Sequence, residues 1–242
     1  MALPMLSVDQ VLTGVDGAPA AADLEPYLLT MVFANAAARA GRKAIPDAAG
    51  AADAFARQWL QRLGQVGWII TAAGTTRLTS SGTGQTATVA DRLRQAAGSD
   101  GGVPAVLDAV AAGAADPGPV LQLWWRAVTD PALMQGAIGR VGPGPDGLQL
   151  ALVGFTLDGS KLRRPAQGLL HRAGVPVDLS SPAALFEEVQ AGSIDLTTTS
   201  LTAVLKADVF AAQRPDLDRM VGAKMAEHVA AEPPSLMTPG QP

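Results

Sequence analysis

His171 and His228 are the only imidazoles in the chain, and cysteine is absent. A nucleophilic site would have to combine Ser or Thr with one of these histidines as base. His171 sits in "GLLHRAGVP", beside a glycine turn and Arg172, a setting that suits a surface loop. His228 falls near the end of a C-terminal helical pattern, where a cation complements the helix dipole. Neither histidine has a nearby carboxylate at metal-ligand spacing. Without cysteine there is no thiolate catalysis, disulfide or Cys-based zinc site. Glu187 and Glu188 are adjacent; in a strand they point to opposite faces and cannot act as a carboxylate pair. Asp216 and Asp218 are expected to flank the start of the last helix, where the dipole favours acids. Lys161, Arg163 and Arg164 form a small basic run that reads as a solvated loop, with an anionic lipid or partner contact as the alternative.

"GPGPDG" (Gly142–Gly147) matches the spacing of a dinucleotide fingerprint, but a strand follows it where the fingerprint needs a helix. Pro143 and Pro145 also lack the N–H groups of a phosphate cradle, so the segment reads as a turn. There is no G-x-S-x-G elbow, S-x-x-K, Walker A loop or H-E-x-x-H. The expectation is therefore no catalytic, cofactor-binding or metal residue, and no cofactor. Trp124 and Trp125 are the remaining chemistry of note. Adjacent residues point to different sides of any element, so one of the pair is a candidate for exposure. With Leu121 and Leu123 they form the candidate partner contact; packing of both tryptophans into separate core layers is the competing reading.

These residues need a scaffold. The chain has 242 residues, enough to bury a self-sufficient core. Hydrophobic residues make up 48% and aromatics only 4%, so the core rests on a few large anchors. Phe55, Trp59, Trp68, Phe155 and Phe210 are the expected structural core, with Trp124, Trp125 and Phe186 as further anchors. The net charge of −4 and pI of about 5.1 give no basic excess for phosphates, which disfavours nucleic acid. The N-terminus lacks the basic region of a signal peptide, and no apolar run is long enough to span a membrane. The cytoplasm is the default location, with release by a signal-free route left open.

Residues 1–20 read as an extended lead, and 232–242 as a disordered Pro-rich tail. Between them, residues 21–231 read as a single domain. Leu24, Tyr27, Leu28 and Met31 recur at helical spacing from about Asp23, with a stop near Gly41. Phe55, Ala56, Trp59, Leu60 and Leu63 share one face of a second helix, with Gly64 as its expected cap. "VGWII" (Val66–Ile70) is a buried strand, and the Thr-rich stretches on either side of Gly82 and Gly84 suggest a hairpin. Two helices follow, from Val89 and from Val103. Val120–Val128 fits helix or strand. Ala132–Val141 and Gly147–Leu157 read as two strands joined by a turn, and 183–205 holds one or two more. The chain closes with helical pattern through Val229, expected to break at Pro215. Helices flanking mainly antiparallel strands make a single α+β domain.

The order of these elements resembles a group of small bacterial and fungal proteins with a "W…L..VGW" segment, matched here by Trp59, Leu63, Val66, Gly67 and Trp68. Leu205, Val209, Phe210, Arg214 and Lys224 match the group's closing helix; Pro215 departs from it. More loosely, the chain resembles virulence factors of the Evf type, in which a lipid sits on a cysteine. This chain has no cysteine, so the resemblance implies the fold and an effector-like or assembly-associated role, and no site residue. The leading expectation is a non-enzymatic binding protein with a protein partner, a component or cargo of a toxin-like or phage-tail-like injection system. The alternatives are a membrane-acting effector and a Ser/His hydrolase using His171. Residue types alone do not set the oligomeric state.

Overall fold

The run Leu148–Leu157 is apolar at nearly every position, the mark of a strand covered on both faces. The computed structural model describes residues 3–17, 19–42, 48–79, 86–98, 102–129, 134–157, 171–172, 175–176, 180–190, 195–233 and 236. A hairpin of β1 (Met5–Val8) and β2 (Val11–Val15) leads into α1 (Ala21–Arg42) and α2 (Ala48–Gln65). Then come β3 (Trp68–Thr79), β4 (Thr86–Ala87), α3 (Val89–Ala97), α4 (Gly102–Gly113) and α5 (Pro119–Val128). β5 (Met134–Gly144) and β6 (Gly147–Leu157) form the second hairpin. Short strands β7 (His171–Arg172), β8 (Val175–Pro176) and β9 (Val189–Gln190) precede β10 (Asp195–Leu205). The chain continues through α6 (Ala207–Val221) and a single turn, α7 (Met225–His228), into β11 (Val229–Glu232).

Seven of these strands build one sheet in the order β11-β1-β2-β5-β6-β10-β3. Every neighbouring pair is antiparallel except β2 and β5. The protein is thus a single α+β domain with a mainly antiparallel sheet. Leu150 and Leu152 of β6 join the core under α1, α2 and α6, while Val153, Phe155 and Leu157 join the core under α3, α4 and α5. That two-sided covering is why β6 shows no polar alternation.

Phe55, Trp59, Trp68, Phe155 and Phe210 are all buried. α5 resolves the helix-or-strand ambiguity of Val120–Val128. Pro119 opens it, and Val120, Leu121, Trp124, Trp125 and Val128 return to one face every three or four residues. Gly67, at φ +102°, makes the turn from α2 into β3 in a conformation that other residues resist. A Cβ there would stand 3.2 Å from the Lys206 carbonyl oxygen and the Phe210 nitrogen. The Lys206 N–H donates to the Gly67 carbonyl at 2.9 Å, so this turn is where the β10–α6 connection docks. α2 runs past Gly64, so Gly67 and not Gly64 supplies the left-handed stop.

Five expectations differ from the structure. "VGWII" is buried only as far as Trp68, where β3 begins; Ile69 and Ile70 are exposed because no strand among the described residues covers the outer edge of β3. The N-terminal lead is part of the sheet: β1 and β2 are buried along their whole length, and two such short strands carry too few residues to show a period. Among the described residues the Thr-rich stretches pair elsewhere, β3 with β10 and β4 with β9, rather than with each other; Gly82 and Gly84 lie outside the described residues. α6 continues through Pro215. Residues 211–216 are exposed, so water can take the carbonyl that the proline frees. Finally, Val229 begins an edge strand on β1 instead of continuing the helix. Most of the Pro-rich tail lies outside the described residues.

Candidate functional site

Register across the sheet brings small residues into line. Val11 of β2 stands opposite Ala137 of β5, which stands opposite Gly154 of β6. Gly154 in turn faces Thr199 of β10, and Thr199 faces Thr75 of β3. One row further along, Gln135, Thr156 and Thr197 are opposite one another. On the other side of the small row lie Leu152 and Leu201, also paired. These side chains share the face covered by α2, because successive residues of a strand alternate between faces. Phe55, Ala56, Trp59 and Leu60 of α2 lie above them. Small residues below and a rigid helix above leave a cavity of about 320 Å³. Its wall is apolar at Leu152, Leu201 and α2, and its far row is polar. Arg57, exposed on α2, borders it.

Gly154 is central. A Cβ built on it would meet only the Thr199 and Gly136 carbonyl oxygens, at 3.6 and 3.9 Å, which is ordinary contact. The space above it is therefore open to a larger group.

Hydrogen bonds fix the roof. The Trp59 indole N–H donates to Asn35 Oδ1 at 2.8 Å, and Asn35 Nδ2 donates to the Val8 carbonyl at 2.9 Å. Gln10, which also lines the cavity, reaches the same Asn35 oxygen at 3.4 Å. Nearby, the Trp68 indole donates to Thr30 Oγ1 at 2.9 Å, and Trp124 donates to the Gln10 carbonyl at 3.1 Å. Each buried tryptophan N–H named here thus has a partner, as burial requires. Tyr27, fully buried, shares a hydrogen bond of 3.1 Å with Thr13 Oγ1. Burial pushes its phenol well above the ordinary value, and the Thr13 bond only partly opposes this.

A second polar cluster lies at the β1–β2 turn. Asp9 adopts φ +51°, and its side chain is only 5% exposed. Its carboxylate accepts from Arg39 Nη2 at 2.9 Å and faces His228 Nδ1 at 2.8 Å. A carboxylate only accepts, so Nδ1 carries the proton. The Asp9 backbone N–H also donates to the His228 carbonyl at 2.9 Å. This double contact ties the end of α7 to the N-terminal hairpin. His228 therefore has a carboxylate partner, not only the helix-end setting expected for it. Among the described residues its ring is bonded to Asp9 alone, so the pair ties α7 to the β1–β2 turn with no hydroxyl bonded to the imidazole. His171 begins β7, opposite Pro176; its side chain is outside the described residues.

The remaining expected positions fall as follows. Trp124, Trp125 and Leu121 are buried in the core under α3–α5, and Leu123 is half-buried, so the apolar patch expected there is not exposed. The two indoles tilt at 52° with centroids 5.9 Å apart, and Trp125 reaches only a groove beside Pro117, Arg126 and Pro182. Asp216 and Asp218 sit in the second half of α6 and not at a helix start. There they meet Arg219 at 2.6 Å and Arg214 at 3.8 Å. Glu187 and Glu188 follow a 3₁₀ turn at Pro182–Phe186 rather than lying in a strand. Gly144–Gly147 is the β5–β6 turn, as read. Lys161, Arg163 and Arg164 lie outside the described residues. Among the described residues there is no group of three or more His, Asp or Glu side chains placed to hold a metal. No helix among them is long and apolar enough to cross a membrane.

Comparison with known proteins adds little to this geometry. No protein-family model and no curated protein matches the chain. The chain is loosely similar in structure to a solved protein described as the Evf virulence factor. The match has a TM-score of 0.38 and 12% identity, over 88% of this chain and 77% of that one.

The cavity was not readable from the sequence. Ala137, Gly154, Thr199 and Thr75 come from four strands, and no local pattern marks them as one surface. The signal that existed was Gly154 itself, a glycine inside an otherwise unbroken apolar strand, which often marks close approach or a ligand.

Proposed function

We propose that the protein works by binding, and that its site is the cavity between α2 and strands β2, β5, β6, β10 and β3. The observation that carries this is the row Ala137–Gly154–Thr199–Thr75 beneath Phe55 and Trp59. Interiors normally close-pack, and a hollow lined by apolar groups with a few hydroxyls on one side is the usual form of a small-ligand site. The test is titration with phenylnaphthylamine, a neutral apolar fluorophore. Wild type should give saturable fluorescence, and Gly154→Leu, which obstructs the middle of the cavity, should abolish it. Saturable binding of equal strength in the variant would refute the reading.

A second reading concerns a protein partner, and a separate observation favours it. β3 closes one end of the sheet. Among the described residues no strand pairs with its outer edge. Ile69 and Ile70 are 48% and 38% exposed, and Ile69–Thr76 holds no charge or proline. Exposed edges of this kind accept added strands unless blocked. An effector-like or assembly-associated role would be exercised here. Light scattering at several concentrations, with Ile70→Lys as control, tests it. Association that Ile70→Lys weakens is expected; wild-type association left intact by that change would sink the reading.

A further inference from the structure

Building on the cavity reading, we propose that the ligand is a compact organic monoanion. Its apolar body would lie under α2, and its anionic group would meet Arg57. Three observations carry this. First, among the described residues the cavity lining includes one cation, Arg57, and no carboxylate. A cationic ligand would find no partner, and a dianion would leave a charge unmatched. Second, Arg57 is without a carboxylate, as are Arg62, Arg92 and Arg126 among the described residues, but of these four only Arg57 lines the cavity. Arg39, Arg94, Arg140, Arg214 and Arg219 each hold a carboxylate. The whole chain carries a net charge of −4, so attraction for an anion must come from a local cation and not from the overall field. Third, Thr197, Thr199 and Thr75 line the same cavity, and their hydroxyls donate to an anion as readily as to water. The volume of about 320 Å³ lies at the small end for ligand pockets, which selects a compact body.

The test compares two fluorophores with the same apolar skeleton. Anilinonaphthalene sulfonate carries one negative charge; phenylnaphthylamine carries none. Wild type should bind the sulfonate about threefold to tenfold more tightly, the range between an exposed ion pair and a charge-assisted hydrogen bond. Arg57→Gln should erase that preference, so that the two probes bind with equal affinity. Arg57 is exposed on a helix surface, and its replacement should not disturb folding, which circular dichroism checks. Gly154→Leu should lose both probes. Equal binding of the two probes by wild type, or a preference that survives Arg57→Gln, overturns the anion assignment and leaves the cavity reading standing. Failure of wild type to bind either probe, or binding of both by Gly154→Leu, overturns the two together.

Discussion

Replacing Asn35 tests whether the roof of the cavity is held as the hydrogen bonds imply. Asn35 is fully buried on α1, holds the Val8 carbonyl of β1 and accepts from the Trp59 indole of α2. Asn35→Leu keeps the branched four-atom shape of the side chain and removes both of these bonds, along with the longer one from Gln10. The Val8 carbonyl and the Trp59 N–H would each lose a bond at a cost of about 1–3 kcal/mol, so roughly 2–6 kcal/mol together. Apolar burial of the leucine returns about 2 kcal/mol of that. The net loss, roughly 0–4 kcal/mol, is at its upper end a large share of a domain stability of about 5–15 kcal/mol. Urea denaturation followed by far-UV circular dichroism measures it. A double-mutant cycle with Trp59→Phe isolates the indole. Once the N–H is gone, Asn35→Leu strands one group fewer, so the coupling should be about 1–3 kcal/mol. Costs that add to within about 0.5 kcal/mol would refute the claim that this bond fixes α2 over the sheet.

Two further outcomes follow from single residues. Tyr27 is the only tyrosine, and burial raises its pKa, so folding favours the protonated phenol. The stability it contributes is intact below pH about 10 and falls as pH rises beyond that, by at most about 1.4 kcal/mol per pH unit. Tyrosinate absorbance in native and urea-unfolded protein should therefore separate, and coincident titrations would contradict the burial argument. Gly67→Ala forces a side chain into φ +102° against the Lys206 carbonyl and should cost roughly 1–3 kcal/mol. Thermal melting reads this directly, and an unchanged melting temperature would show that the turn relaxes freely.

Local pattern made α2 legible, because Phe55, Trp59 and Leu63 repeat at helical spacing and face one core. It made the β5–β6 hairpin legible through the turn at Gly144–Gly147. It misplaced the start of the chain, because β1 and β2 are too short to show a period and draw their stability from strands far along the sequence. It also missed the Asp9–His228 pair, whose members are 219 positions apart. Trp124 and Trp125 misled for a related reason. Adjacent residues take opposite sides of a strand, but in a helix they lie about 100° apart, and α5 packs on β11, β1 and β5 closely enough for both to be covered. Burial on that scale depends on which elements come together, and that information is not local.

The cavity also implies a stability that this fold has forgone. Gly154 sits in mid-strand, with no positive φ and open space above it. Glycine there costs about 0.5–1 kcal/mol in backbone entropy relative to alanine. A leucine projecting into the hollow would bury apolar surface worth about 1.5–3 kcal/mol. In the absence of ligand, Gly154→Leu should therefore raise unfolding stability by roughly 2–4 kcal/mol while removing the site. Gain of stability with loss of binding is the signature of a functional void, since selection tolerates a weak spot where binding needs the room. A large residue placed in a well-packed strand gives the opposite result, destabilisation by about 1–3 kcal/mol through overpacking. Urea denaturation of Gly154→Leu separates the two cases by sign. A destabilised variant would mean that α2 already closes on the sheet and that the cavity is not available to a ligand.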